Sequence, residues 1–406
     1  MSQTEINRFI GLQRALLLTV LLVVTWLFTR NGPLRVDEGI HYHQISLLAA
    51  GEYVQDAALT AIPGYHWLMA QFVRVAHSDS IAFLRGINVL LGAVGVLLFA
   101  RCRDLLGDGD RDQRVLQFAL CPIIFPFFFL IYTDIASLLL VLAGAWLGLK
   151  RWFALAAVVL TLSLAVRQNN VVWLLAVPAV TWLQQTGVDY SWRNLRAFAR
   201  AYWWLGIGLL LFAAFVVVNH GVAMGDRSKH PLVLSSGNVF FLLFVYSVVF
   251  LPLVLARTPA NVRTALAGWR GGVLFAGFFV LYLSTFESTH PYNNIGPEYF
   301  LRNAVLMAVA GNRWLKLLFF VPVVLAALDL VRSMQDRPIL VPVVLASIAA
   351  VMPSWLIEQR YYIVSFALLL LFRPEGGRRA EQLTTMWCAL LALFVVYGIR
   401  QNWFFL

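Results

Sequence analysis

Apolar stretches of close to 20 residues recur along almost the whole chain, and that recurrence limits the fold before any motif is considered. A helix rising 1.5 Å per residue needs about 20 such residues to cross roughly 30 Å of hydrocarbon. Reading the runs predicts thirteen spans, near 9–29, 82–100, 115–131, 134–149, 152–166, 171–184, 201–219, 237–256, 271–288, 313–331, 338–355, 361–372 and 383–399. Composition agrees: 61% of the 406 residues are apolar and 13% charged, against about 25% charged in soluble domains. The chain is therefore expected to be all-α and integral to the membrane, one polytopic helical bundle over residues 1–406. A division falls near 190–200, between a first half of about 1–200 and a second of about 201–406. Cys102, Cys121 and Cys388 are too scattered for a disulfide framework or a zinc site. The first span follows a short polar segment with Arg8 and Arg14, and no small-residue cleavage site follows it, so it reads as a permanent anchor.

The formal charge of +11 sorts by side. With a cytoplasmic amino terminus, Arg8 and Arg14 fall on one face together with Arg101, Arg103, Arg111 and Arg114, Lys150 and Arg151, and Arg193, Arg196 and Arg200. Arg257, Arg263 and Arg270, Arg332 and Arg337, and Arg373, Arg378 and Arg379 follow on the same face, as the positive-inside tendency requires. These clusters are expected to hold loops against anionic membrane lipid; no nucleic-acid partner is predicted.

On the opposite face lie Val36 to Gln44, Tyr132 to Asp134, Arg167 to Asn170, Gly225 to His230, His290 to Asn294 and Glu358 to Tyr362. Six helix-end segments so placed can line one cavity at the membrane surface. The first extracytoplasmic loop is long, about 50 residues, and is expected to carry interfacial helices of its own. Asp37, His41 and Gln44 recur at i, i+4 and i+7, a polar stripe facing the cavity, with Ile45, Leu48 and Ala49 on the apolar side. Asp37 and Glu38 are the candidate catalytic carboxylates, one of them able to take a proton from an alcohol. Their structural alternative is to cap a helix, and Asp37 takes precedence as catalyst because it aligns with His41 and Gln44. His41 and His43 point apart at i, i+2, so no metal is predicted.

Asp226, Arg227, Lys229 and His230 form a compact cationic run suited to a phosphate or diphosphate, the arginine as a fork and the lysine as a point charge. Arg167, Arg302 and Arg360 run against the charge-sorting rule, which a lipid phosphate in the cavity would explain. Arg227, Lys229, His230 and Arg360 are thus the candidate donor-phosphate ligands. His41, Gln44, Tyr132, Asp134, Arg167, Gln168, Asn169, Asp226, His290, Glu358 and Tyr361 are the candidate substrate-binding residues, with capping or interhelical bonding as the alternative for Asp134 and Asn169. Asp108-Gly109-Asp110, which resembles an Asp-x-Asp cation site, falls on the arginine-rich face and reads as a solvated turn.

Taken in order, these motifs resemble the dolichyl-phosphate-glucose-dependent alpha-1,2-glucosyltransferases. The similarity rests on Val36-Asp37-Glu38-Gly39-Ile40-His41, Thr60-Ala61-Ile62-Pro63-Gly64-Tyr65, Phe129 to Asp134, Arg167 to Trp173, Gly225 to His230, His290-Pro291-Tyr292 and Glu358 to Tyr362. The chain departs from the family at Ile62-Pro63, in place of a double proline, and at Gly296 to Arg302. The resemblance implies a GT-C fold with a long first lumenal loop and inverting transfer of a hexose, glucose first, into an alpha-1,2 linkage. It implies a polyprenyl- or dolichyl-phosphate sugar as donor, a lipid-linked or other glycan as acceptor, and no cofactor. It places the protein in the endoplasmic reticulum membrane. The 28 arginines against three lysines point instead to a bacterial inner membrane, with a periplasmic site. The rival readings are a transporter or lipid-linked sugar flippase, and a GT-C enzyme for mannose or arabinose.

Overall fold

The computed structural model describes residues 3–107 and 111–406; the Asp108-Gly109-Asp110 motif lies outside the described residues. Helix α1 (Gln3–Thr29) leads into two short helices of the first loop, α2 (Glu38–Ala50) and α3 (Gly64–Ala76). There follow α4 (Ile81–Leu106), α5 (Arg111–Ala119), α6 (Thr133–Leu149), α7 (Phe153–Leu164), α8 (Val171–Thr186) and α9 (Trp192–Ala201). The second half comprises α10 (Leu205–Asn219), α11 (Gly237–Val249), α12 (Leu251–Ala265), α13 (Trp269–Thr285) and α14 (Leu301–Gly311). It ends with α15 (Arg313–Asp336), α16 (Leu340–Val351), α17 (Ile363–Phe372) and α18 (Arg378–Arg400). Among the described residues, extended pairing is confined to two isolated bridges, Leu232 with Ser354 and Phe300 with Phe405.

This is a helical membrane protein. Among the described residues, helices α4, α15 and α18 are each long and apolar enough to cross a bilayer, and the bent pairs α9–α10 and α11–α12, each counted as one span, bring the number to five. Shorter apolar stretches of 10–17 residues include the Ala15–Thr29 part of α1 and helices α6, α7, α13, α14 and α16.

Two predicted spans are built differently. Residues 115–131 do not form one helix: α5 stops at Ala119, and Phe125–Phe129 forms a 3-10 turn. Pro122 and Pro126 remove backbone donors inside the run, at a cost of about 3 kcal/mol for each in a helix interior. The segment is instead buried on all sides from Gln117 to Leu138. The run 237–256 turns by 103° between α11 and α12, at Phe250, where Pro252 stands in the first turn of the new helix.

Helix α17 organises both ends of the molecule. All ten of its residues are buried, over about 15 Å of rise. Its last carbonyls are met by arginines from other helices: Arg114 Nη1 donates to Leu370 O (3.2 Å), Arg103 Nη1 to Leu371 O (2.9 Å) and Arg337 Nη1 to Phe372 O (3.3 Å). These cations supply what a helix C-terminus lacks, both donors and positive charge. Arg373 in turn donates from Nη1 and Nη2 to the two oxygens of Glu381 (2.8 and 2.6 Å). Arg103, Arg114 and Arg373 are therefore interior residues, not the lipid-facing loop charges that their sequence position suggested. At its other end α17 follows directly from the Gln359–Tyr362 turn, which carries the candidate site.

Candidate active site

The first loop turns sharply at Val36, whose φ of 49° is left-handed. A β-branched residue adopts that conformation only under external constraint. Three bonds supply it. Glu38 Oε2 accepts from Arg35 N–H (2.8 Å), Tyr132 Oη accepts from Asp37 N–H (3.1 Å), and the Tyr132 hydroxyl donates to Arg35 O (3.2 Å). The turn swings two adjacent carboxylates into different surroundings. Glu38 is fully buried and accepts from Arg85 Nε (3.0 Å), Arg85 Nη2 (2.7 Å) and Ile131 N–H (2.9 Å). Asp37 occupies the position before α2 but makes no capping bond there. Its Oδ2 accepts from Arg360 Nη2 (2.8 Å), and the side chain is 36% exposed, toward the cavity.

The facing wall is the loop after α10. Gly225 packs so closely on the first loop that a Cβ would stand 2.3 Å from the Ala57 carbonyl oxygen, which excludes any side chain there. Met224, Gly225 and Asp226 donate their N–H groups to Thr60, Leu59 and Ala57 (3.0, 3.0 and 3.1 Å). Asp226 itself is left-handed, with φ 37°. Its carboxylate accepts from the Tyr292 hydroxyl (3.1 Å). His290 Nδ1 accepts from Tyr292 N–H (3.0 Å), so its Nε2–H donates to Lys229 O (2.8 Å). That bond clamps the Arg227–Lys229 turn to the loop before α14. Arg227 donates to Met224 O and Asn219 Oδ1 (3.0 and 2.6 Å), whereas no described side chain pairs with the Lys229 ammonium. Burial pushes His230 below the usual histidine range, against the raising influence of Asp226, Glu358 and Asp37.

Arg360 closes the third side. It donates to Asp37 and, from Nε, to Glu358, and its guanidinium lies 4.9 Å from the Tyr132 ring centroid. Glu358 also accepts from Arg302 Nη1 (3.3 Å). Burial alone would raise the Glu358 carboxyl, but Arg360 and Arg302 hold it down at about 2. Beside them Arg167 pairs with Asp134 and reaches over the Tyr361 ring at 5.9 Å. Gln168 Nε2 donates to Thr60 O (2.9 Å) and Val222 O (3.1 Å), joining two walls.

Together these walls enclose a cavity of about 710 Å³, within the roughly 300–1,000 Å³ of ordinary small-molecule sites. Asp37, His41, Arg167, Gln168, Asn169 and Asp226 line it, as do Arg227, Lys229, His230, Glu358, Arg360 and Tyr361. Five predicted residues stand behind the lining instead. Glu38 and Tyr132 fix the Asp37 turn, Asp134 holds Arg167, and His290 holds Lys229. Gln44 bonds the first loop at Val54 O (2.9 Å) and Asp56 N (2.7 Å), so the expected polar stripe of α2 divides between cavity and loop. His43 turns away from His41, to Asp56 Oδ2 at 2.8 Å. The lining carries five cations, Arg302 among them, and three carboxylates, an excess of positive charge suited to an anionic group.

Sequence reasoning passed over Arg85, His66 and His220. Arg85 was legible in principle, because a lone arginine within an apolar run calls for a buried partner. His66 follows the Pro63-Gly64-Tyr65 motif directly. His220 lines the cavity from a left-handed position that no sequence pattern marks.

Comparison with known proteins gives one consistent answer. The DIE2/ALG10 family matches over residues 33–191 and 186–371. A human Dol-P-Glc:Glc(2)Man(9)GlcNAc(2)-PP-Dol alpha-1,2-glucosyltransferase is 25% identical, covering 90% of this chain and 89% of its own length. The protein of the same name from Debaryomyces hansenii is 23% identical over 84% of this chain and 82% of its own. The Arabidopsis thaliana protein is 32% identical over 35% of this chain and 32% of its own. No solved structure matches the chain. With the family match spanning most of its length, the chain belongs to the DIE2/ALG10 family.

Proposed function

We propose that this chain is a membrane glucosyltransferase that moves glucose from a polyprenyl-phosphate donor to a glycan hydroxyl, forming an alpha-1,2 linkage with inversion. The observation that carries the reading is the shared cavity. A half-exposed carboxylate, Asp37, held by one guanidinium, faces the Arg227–His230 turn across a chamber lined by more cations than anions. Asp37 acts as general base: Arg360 fixes Oδ2, and Oδ1 is left to take the proton of the acceptor hydroxyl. The acceptor oxygen forms its bond to the anomeric carbon as the bond from that carbon to the phosphate oxygen breaks. The departing phosphate keeps the electron pair, and Arg227, Lys229, His230 and Arg360 stabilise its charge.

In this reading the bundle is a GT-C arrangement of about thirteen crossings, and the cavity opens on the lumenal or periplasmic face. The cationic excess and the cavity-facing Asp37 carboxylate favour group transfer over transport, since transporters place ionisable groups near the midplane of paired repeats. The test is incubation of purified protein with labelled polyprenyl-phosphate glucose and a panel of glucose-terminated glycans, followed by linkage analysis. An alpha-1,2-glucosylated product is expected; no donor turnover with any acceptor overturns the assignment. Lipid-linked and free glycans in the same panel identify the acceptor, and the mannose and arabinose donors test the sugar.

A further inference from the structure

At the floor of the cavity His41 Nδ1 lies 2.9 Å from His66 Nε2, with the ring centroids 5.1 Å apart. His41 is 7% exposed and His66 not at all. Burial pushes His41 down to about 3, helped by Arg360 and Arg167. It pushes His66 well below the ordinary range too, with His41 adding to the effect. Both rings are thus neutral and share one N–H···N bond, which leaves two tautomeric arrangements.

In the first, His41 Nδ1–H donates, and the His66 proton must then sit on Nδ1. That atom is buried and has no partner among the described residues, so the arrangement strands a buried N–H. Orphaned N–H donors are the rarest defect in folded interiors, and bare acceptors are better tolerated. In the second, His66 Nε2–H donates to His41 Nδ1, the unpartnered His66 atom is only a lone pair, and His41 carries its proton on Nε2. His41 lines the cavity, and no described residue bonds its Nε2.

We propose that His66 is a positioning residue that locks His41 in the Nε2–H tautomer, so that His41 presents a neutral donor to a sugar hydroxyl in the cavity. This rests on the glucosyl-transfer reading for the identity of the ligand, though not for the tautomer itself. An uncharged donor suits a hydroxyl, and the phosphate charge is left to the cations Arg227, Lys229 and Arg360 that line the same cavity. A site built to bond a hydroxyl also rejects the analogue lacking it strongly. The hydroxyl belongs either to the transferred glucose or to the acceptor sugar.

The direct test is nitrogen-15 NMR of histidine-labelled full-length protein in lipid nanodiscs, with the His41 signals identified by their loss in His41→Gln. A protonated Nε2 and a bare Nδ1 are expected; a protonated Nδ1, or an imidazolium, overturns the proposal. This measurement needs no turnover, so a protein inactive toward polyprenyl-phosphate glucose sinks the transfer reading and leaves the tautomer to be judged by itself. His66→Gln places an amide N–H near the former Nε2–H and is expected to keep the tautomer and to hold kcat/KM within about threefold, whereas His66→Leu loses about tenfold. Deoxyglucose donors and deoxy acceptors then locate the hydroxyl: discrimination against one of them falls in His66→Leu. Wild-type turnover and tautomer in a folded leucine variant, or equal losses in both variants, refute the role. If the leucine variant does not fold, the wild-type and glutamine spectra decide.

Discussion

Asp37 and Glu38 are neighbours with opposite tasks, and two nearly isosteric substitutions separate them. In Glu38→Gln the carboxylate that faces Arg85 becomes an amide. Oε1 meets Arg85 Nε–H and Ile131 N–H, and Oε2 meets Arg85 Nη2–H and Arg35 N–H. Whichever way the amide flips, its NH2 confronts two donors, and the guanidinium of Arg85, 2% exposed, loses its counter-charge. Breaking a buried pair from one side costs about 3–5 kcal/mol, a large share of the 5–15 kcal/mol or so that holds a typical domain folded. Asp37→Asn removes no such support. Arg360 donates a single bond to Asp37 and keeps its second carboxylate, Glu358. The asparagine can turn its oxygen toward Arg360, so the change in stability is expected to stay below about 1 kcal/mol. What disappears is the proposed base, worth about 10²–10⁴-fold in kcat. Thermal unfolding in nanodiscs and transfer of labelled glucose, run on both variants, read the two effects separately. Asp37→Asn should melt with the wild type and fail to turn over, while Glu38→Gln should melt far lower. A folded, fully active Asp37→Asn protein, or a Glu38→Gln protein of wild-type stability that has lost only catalysis, would reverse the assignment.

Lys229→Met removes a cation that no described side chain pairs with, so it should raise KM for the lipid-phosphate donor about 10–100-fold with little change in Tm; an unchanged KM places the phosphate elsewhere. Glu381→Gln at the arginine collar of α17 should lower Tm by an amount comparable to Glu38→Gln and leave KM alone; a selective change in donor KM would contradict a purely structural collar. His41 titrates near 6.5 when unfolded and about 3 when folded. The unfolded chain therefore binds the extra proton between those values, and stability is fully present above 6.5 and falls as the pH drops toward 3. Between roughly pH 7.5 and 5.5 this amounts to about 1.4 kcal/mol for His41, and the acid loss measured by thermal melts should shrink in His41→Gln. A pH-independent Tm over that interval would mean that the ring is charged in the folded state.

How much of this was readable beforehand follows from where each interaction sits along the chain. Charge placement alone separated the Arg103, Arg114 and Arg373 end from the Asp37, Arg167 and Arg360 end, because lipid imposes that sorting on the sequence itself. The same reasoning found twelve of the residues that line the cavity. It failed where a partner lies far away in sequence and is equally polar. The alignment of Asp37 with His41 and Gln44 ranked it ahead of Glu38, but nothing local shows that Asp37 reaches Arg360 across 323 positions and Glu38 reaches Arg85 across 47. The decision is made by the turn at Val36, whose left-handed backbone is held by Tyr132, a residue from another helix end. For the same reason α5 and the α11–α12 bend were missed: hydropathy registers that Pro122, Pro126 and Pro252 sit among apolar neighbours, but not that surrounding helices bury the broken backbone. The site thus depends on a buried structural layer, Glu38, Arg85, Tyr132, Asp134 and His290, made of the same residue types as the layer that faces the substrate. Composition and spacing treat the two layers alike. What separates them is whether every hydrogen-bonding atom is already used: Glu38 has both oxygens filled by protein donors, whereas Asp37 leaves Oδ1 open toward the cavity.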